Sequence, residues 1–248
     1  IRTWAAPDYD DDGIGLLTDA LAEVTPTDGR IGVADQMESH MRMPLASLRD
    51  LEQRLGARHL VSDDAITRRL RLVKSEAEID KVKVATAIAK RAFNRVPEIA
   101  GAGVPLTSVF RDFQRLCLEE GADWVPYLAG AASAGGYGDV ISPATDTPLA
   151  AGDVLMLDTG LVWDGYFCDF DRNFSLGPPS DTVATAHNRL IDATEAAFNI
   201  AKPGAVIADL FHAMQPLLGE EASAVRLGHG LGQQLTEWPS IIAADTTP

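Results

Sequence analysis

The sequence is short of cysteine, of basic residues and of long apolar runs, and each shortage excludes something. Two cysteines, Cys117 and Cys168, in 248 residues are too few for a disulfide framework and suit a reducing compartment. Lys and Arg number 21 against 36 Asp and Glu, a formal net charge of -15. That excludes a nucleic-acid partner, because neutralising a phosphate backbone takes clustered cations. A cationic or zwitterionic ligand is compatible with it. No apolar run approaches the roughly 20 residues of a membrane helix, and no charged-then-apolar leader is present. The expectation is therefore no membrane partner and a cytoplasmic location. No internal repeat or low-complexity tract appears.

What is present is 46% hydrophobic residues, enough for one large domain or a domain plus part of another. Residues 1–12 are polar and acidic and read as loose. From Arg30, "IGVAD", a helix pattern around Leu45 to Leu55 and then "HLVSDD" alternate as strand, helix, strand, an α/β unit of βαβ character that begins mid-pattern. At Lys74 the character changes. Ser75 with Glu78 three positions on forms a capping box. Ile79, Val82, Ala85, Ile88, Ala89, Ala92 and Phe93 follow at helical spacing. The reading is a partial N-terminal domain over 1–73 and a second domain over 74–248. In the latter we expect a helix over 108–120 ended by Gly121, a Gly- and Ala-rich loop over 129–138, helices near 181–201 and 208–218, and a last Gly-rich strand and turn, "RLGHGLGQQLTEWPS".

Between the loop and those helices lies "LDTGLVWDGYFCDFDRNF", Leu157 to Phe174, a strand-forming run that carries three acids. Asp164 and Gly165 signal a two-residue hairpin turn with positive φ at both positions. Counting outward from Trp163 opposite Tyr166, Asp158 falls opposite Asp171, and Asp169 shares the face of Asp171 because side chains alternate. A one-residue slip would scatter the three acids. Like charges this close raise one another's pKa unless compensated. Either the acids face solvent with Arg172 nearby, or a cation sits among them; the flanking Leu155, Leu157, Phe167 and Phe174 favour a covered sheet and hence the cation. Carboxylates with a histidine suit Mn, Fe, Co or Zn. His229, held between glycines in "GHGLG", is the candidate histidine, either ligand or structural, and His40, His59, His187 and His212 read as structural.

These residues resemble the creatinase and aminopeptidase-P family, the pita-bread metalloenzymes. The resemblance rests on "LRLVKSEAEIDKV", "AAGDVLMLDTG", "YFCDFDRNF", "AKPGAV" and "GHGLG", and spans about Leu70 to Pro239. It implies an α/β pita-bread catalytic domain preceded by part of a creatinase-type N-terminal domain, with Asp158, Asp169 and His229 as metal ligands. It also implies two glutamate ligands downstream of His229 that would lie beyond residue 248, so the chain looks truncated at both ends. The implied metal is a divalent transition metal, iron first, with manganese, zinc and cobalt as alternatives. A homodimer is implied as well.

Two positions depart from the peptidases and creatinase. The stretch "GYGDVISPATD" has no histidine before Asp158, and Thr236 precedes Glu237 where the peptidases carry a histidine. Losing both removes donors to developing charge. The hairpin and "RLGHGLGQQLTEWPS" are similar to the dimethylsulfoniopropionate lyases of this family. The resemblance implies a metal-dependent lyase that splits this small zwitterionic sulfonium into dimethyl sulfide and acrylate by β-elimination. In that reading Asp171 is the catalytic base or a further ligand, unless it only supports His229 or Arg172. Trp238, then Tyr127, would hold the sulfonium on an aromatic face. The rival readings are an Xaa-Pro dipeptidase or creatinase-like hydrolase, and a non-catalytic binding module of the same fold.

Overall fold

The structure is a computed structural model that describes residues 1–37, 39–139, 141–219, 222 and 225–247. Its Cα framework divides into two compact units, Ile1–Val73 and Lys74–Pro248. In the first unit, α1 (Ile14–Val24) precedes β1 (Arg30–Val33), α2 (Leu45–Arg54), β2 (His59–Ser62) and α3 (Ile66–Leu72). The two strands are parallel, with Arg30 beside His59 and Val33 beside Ser62. α2 makes the crossover that a parallel pair requires. Ile14, Leu51 and Leu55 form the buried centre, with Leu17, Leu21, Ile31, Met43 and Leu60 around them.

The second unit opens on α4 (Glu76–Asn94). The Ser75 hydroxyl accepts from the Glu78 amide while the Glu78 carboxylate accepts from the Ser75 amide, so two donors at the helix start are satisfied. Ala85, Ile88, Ala89, Ala92 and Phe93 are its buried stripe. A 3-10 turn (Val96–Glu98) leads to α5 (Leu106–Glu119), after which Gly121 takes φ 107°. Then come β3 (Trp124–Ala134), β4 (Asp153–Trp163), β5 (Tyr166–Phe167), β6 (Phe170–Ser175), α6 (Asp181–Ile200), α7 (Ile207–Leu218) and a small pair, β7 (His229–Gly230) with β8 (Glu237–Ser240). β4 is central, antiparallel to β3 on one side and to β5 and β6 on the other.

One expectation is corrected here. Ala129 to Ala134 belong to β3 rather than to a loop, paired residue by residue with Asp158 down to Asp153. Their small side chains serve close packing. A Cβ on Gly130 would stand 2.4 Å from the Met156 carbonyl oxygen and 3.1 Å from the Phe110 ring.

The sheet has an apolar face and a polar one. Leu155, Leu157 and Leu161 have no exposed surface and pack with Phe93, Phe110 and Phe113 of α4 and α5. Each such leucine contributes about 1.5–3 kcal/mol by leaving water. Phe170 and Phe174 of β6 join the same core, and both rings meet Phe93. With these residues against the helices, alternation turns Asp158 and Asp171 to the other face. Among the described residues, no helix is long and apolar enough to cross a membrane.

Candidate functional site

The turn behaves as its residues require. Asp164 and Gly165 take φ 46° and 78°, and Trp163 pairs with Tyr166. The ladder then continues past a short break at Cys168 and Asp169, so Asp158 stands opposite Asp171, the register counted from the turn. Lys81 fixes the turn from outside with a 2.9 Å ion pair to Asp164. The Cys168 side chain enters the core.

Asp169 joins two parts of the site. Its Oδ2 lies 3.0 Å from His229 Nε2, with the histidine 16% and the aspartate 26% exposed. Its charge also acts on Asp158. Burial, followed by the charge of Asp169, pushes the Asp158 carboxyl up to about 6. Tyr127 on β3 donates its phenolic proton to Asp158 Oδ2 at 2.9 Å. Burial is the first cause, and the charge of Asp158 the second, of an upward shift at that phenol. Asp171 is exposed as a residue, yet the packing around its carboxyl raises that group's pKa, against the pull of Arg172. Arg172 lies 4.0 Å from the Phe170 ring centre and donates to the Asp171 backbone carbonyl, not to its carboxylate.

His229 is oriented from behind. Its Nδ1 is 2.8 Å from the Gly230 carbonyl oxygen. A proton on Nδ1 leaves Nε2 to face the acids. The hydrogen bond that protonated Nε2 donates to the Asp169 carboxylate holds the ring's pKa above its ordinary value. The flanking glycines serve contact: a Cβ on Gly230 would sit 2.5 Å from the Trp238 carbonyl oxygen, so β7 and β8 can approach only without it.

Asp158, Asp169, Asp171, Tyr127 and His229 are thus brought to one face, while Trp238 lies on β8 beside Glu237. The donor set fits a divalent cation in kind: three carboxylates against one imidazole carry uncompensated negative charge, and their mutual repulsion is what an ion would relieve. The side chains are posed as hydrogen-bonded pairs. Among the described residues, no three His, Cys, Asp or Glu side chains form a ready coordination group. Cys117 and Cys168 are buried thiols pushed up to about 12 by desolvation, which suits packing rather than ligation.

Sequence reasoning missed one part of the surroundings. Lys74 Nζ pairs with Glu237 Oε2 at 3.1 Å, and Tyr166 donates to Glu78 at 2.9 Å while accepting from Gln233 at 3.1 Å. A buried carboxylate in a polar loop needs a cation, and Glu237 is the signal that could have prompted the search.

Comparison with known proteins identifies the family. Residues 80–248 match metallopeptidase family M24. The chain is 31% identical over 241 residues to a probable dipeptidase, PepE, of Mycobacterium tuberculosis, an alignment that covers 95% of this chain and 61% of that protein. The crystal structure of dipeptidase PepE from Mycobacterium ulcerans superposes with a TM-score of 0.81 at 28% identity, over 100% of this chain and 64% of that one. The X-Pro aminopeptidase of Thermotoga maritima gives 0.80 at 26% identity, over 100% and 68%. The chain thus spans about three fifths of the length of the curated relatives it matches. These relatives are named as peptidases, and they lend the sulfonium-lyase expectation no support. With two thirds of its residues inside the match, and with the pita-bread α/β fold of that group, the chain belongs to metallopeptidase family M24.

Proposed function

We propose that the protein is a metal-dependent hydrolase of short peptides, with Xaa-Pro dipeptides as its first substrate class. The observation that carries the reading is the approach of His229, from its own two-stranded pair, to Asp169 and through it to Asp158, in a chain of the M24 family. The names of the relatives, dipeptidase and X-Pro aminopeptidase, support the substrate class.

Asp158, Asp169 and His229 would hold a divalent transition metal, for which carboxylate and imidazole donors are suited. When bound, such an ion supplies Lewis-acid polarisation and a low pKa for water. The chain's own groups do the rest. Asp171, whose carboxyl is raised above the usual range and which lies two residues from Asp169, would take up a proton on a carboxylate oxygen. Tyr127 orients Asp158 through the phenol hydrogen bond. The surplus of carboxylates attracts the free ammonium end of a short peptide. Tyr127 and Trp238 are proposed to border the substrate, and a homodimer is proposed as the working assembly. Asp169→Ala should lose both metal occupancy and Xaa-Pro cleavage; normal metal content in that variant by elemental analysis would sink the ligand assignment.

A second reading is favoured by one observation: Thr236 and the histidine-free stretch before Asp158 leave the site without the donors that peptide hydrolysis uses. In it, Asp171 removes the proton α to the carboxylate of dimethylsulfoniopropionate, the carbon–sulfur bond breaks, and dimethyl sulfide leaves acrylate. Asp171→Asn should then retain metal and lose dimethyl sulfide release; unchanged release would remove Asp171 as the base.

A further inference from the structure

His229 comes from β7 and Asp169 from the break between β5 and β6, and something must hold the two segments together for the side chains to meet. Among the described residues, β7 and β8 pair only with each other. Their attachment to the acid-bearing hairpin is made by a few contacts of the intervening turn. The Phe167 amide donates to the Gly232 carbonyl at 2.8 Å. Leu235 lies against Gly160, where a Cβ would be 2.4 Å from its Cδ1. Gln233 reaches the Tyr166 hydroxyl, which in turn donates to Glu78 at the start of α4.

A further contact is ionic. Glu237 is the first residue of β8 and stands opposite Gly230, the neighbour of His229. One of its carboxylate oxygens closes its own turn by accepting from the Gln234 amide at 3.1 Å, and the other accepts from Lys74. The carboxylate comes so close to the backbone that a Cβ on Gly232 would meet it at 2.8 Å. The Glu237 side chain is 4% exposed and that of Lys74 17%. A carboxylate this dry is stable only while its cation stays. Without it, the turn must open to hydrate the charge, and Gly230 moves with its strand partner. Exposed pairs on α4, which follows Lys74, do not have this leverage. Lys83 and Asp80 are 68% and 72% exposed, and such pairs contribute little.

We infer that Lys74 is a positioning residue for His229: by neutralising Glu237 it fixes the turn that carries the histidine to Asp169, although it touches neither. The metal arm of the test rests on the metal reading proposed above; the tether itself does not. The experiment compares wild type, Lys74→Met and, as a control, Lys83→Met. Two readouts are used, hydrogen–deuterium exchange over residues 228–240 without metal and Mn2+ binding by calorimetry. Lys74→Met should exchange at least tenfold faster in that segment while α4 and α5 stay protected, and should bind Mn2+ at least tenfold more weakly; Lys83→Met should match wild type. Lys74→Met/Glu237→Gln, which leaves no unpaired buried charge, keeps the test open if the single variant does not fold. The double variant has no charge to hydrate, so its exchange over 228–240 should stay within about threefold of wild type. Unchanged exchange over 228–240 in folded Lys74→Met, or tenfold faster exchange in the double variant, overturns the inference. Faster exchange in a protein whose wild type binds no Mn2+ supports the tether and overturns the metal reading alone.

Discussion

Gly230→Ala offers a sharp perturbation of the site because the obstruction it meets is backbone. The added Cβ would stand 2.5 Å from the Trp238 carbonyl oxygen, 2.9 Å from its carbon and 3.2 Å from the Glu237 oxygen. No side chain can swing aside to relieve this. Reaching an ordinary contact of 3.4 Å requires β7 and β8 to part by about 0.9 Å, a strain on the scale of overpacking, about 1–3 kcal/mol. The displaced strand carries His229 at its first position, whereas metal–ligand distances hold to within about 0.2 Å. We therefore expect Mn2+ affinity to fall by about 10–100-fold, the range seen when the support of a ligand is damaged. Calorimetric titration measures it, with urea unfolding as the check on stability. An affinity within twofold of wild type in a folded variant would show that His229 is not held to the site by this pairing, or is not a ligand.

Further expectations follow from the same structure. Tyr127→Phe removes the phenolic donor to Asp158 Oδ2 and should weaken Mn2+ binding about tenfold with little change in urea midpoint. Leu157→Ala empties a fully buried place among α4 and α5 and should cost about 2–5 kcal/mol in urea unfolding. Glu78 gives a pH signature: the Ser75 amide, then its hydroxyl, hold the carboxyl below its ordinary value. A depressed pKa stabilises above the unfolded value and ceases to do so as pH falls through the folded one. The Tm deficit of Glu78→Gln should accordingly be present at neutral pH and vanish in acid, and an acid-independent deficit would refute the assignment.

Much of this site could be read by counting. Asp164–Gly165 admits one turn type, the turn fixes the register, and the register puts Asp158 opposite Asp171. Glycines on both sides of His229 signalled a close approach, and the approach is to the Trp238 backbone. The capping box at Ser75 is a local pattern with a local outcome. What escaped depended on partners distant in the chain or on context. Tyr127 reaches Asp158 after an irregularity in the β3–β4 ladder between Trp124 and Tyr127, where alternation cannot be carried forward. Lys74 and Glu237 are 163 positions apart, and nothing local to either names the other. The small residues of Ala129 to Ala134 have weak strand propensity, and only the pairing with β4 and the pressure of Phe110 make them a strand. α1 and α3 begin after Gly13 and Ala65, both at positive φ and without a side-chain cap, so the usual start signal is absent.

The account turns on whether a metal bound through Asp169 cleaves a peptide. Purified protein loaded with Mn2+ should be given an Xaa-Pro dipeptide and, separately, dimethylsulfoniopropionate, with free proline followed by chromatography and dimethyl sulfide in the headspace. The account predicts proline release that requires the metal and disappears in Asp169→Ala. Dimethyl sulfide with equimolar acrylate and no proline would contradict it and assign Asp158, Asp169, Asp171 and His229 to elimination instead.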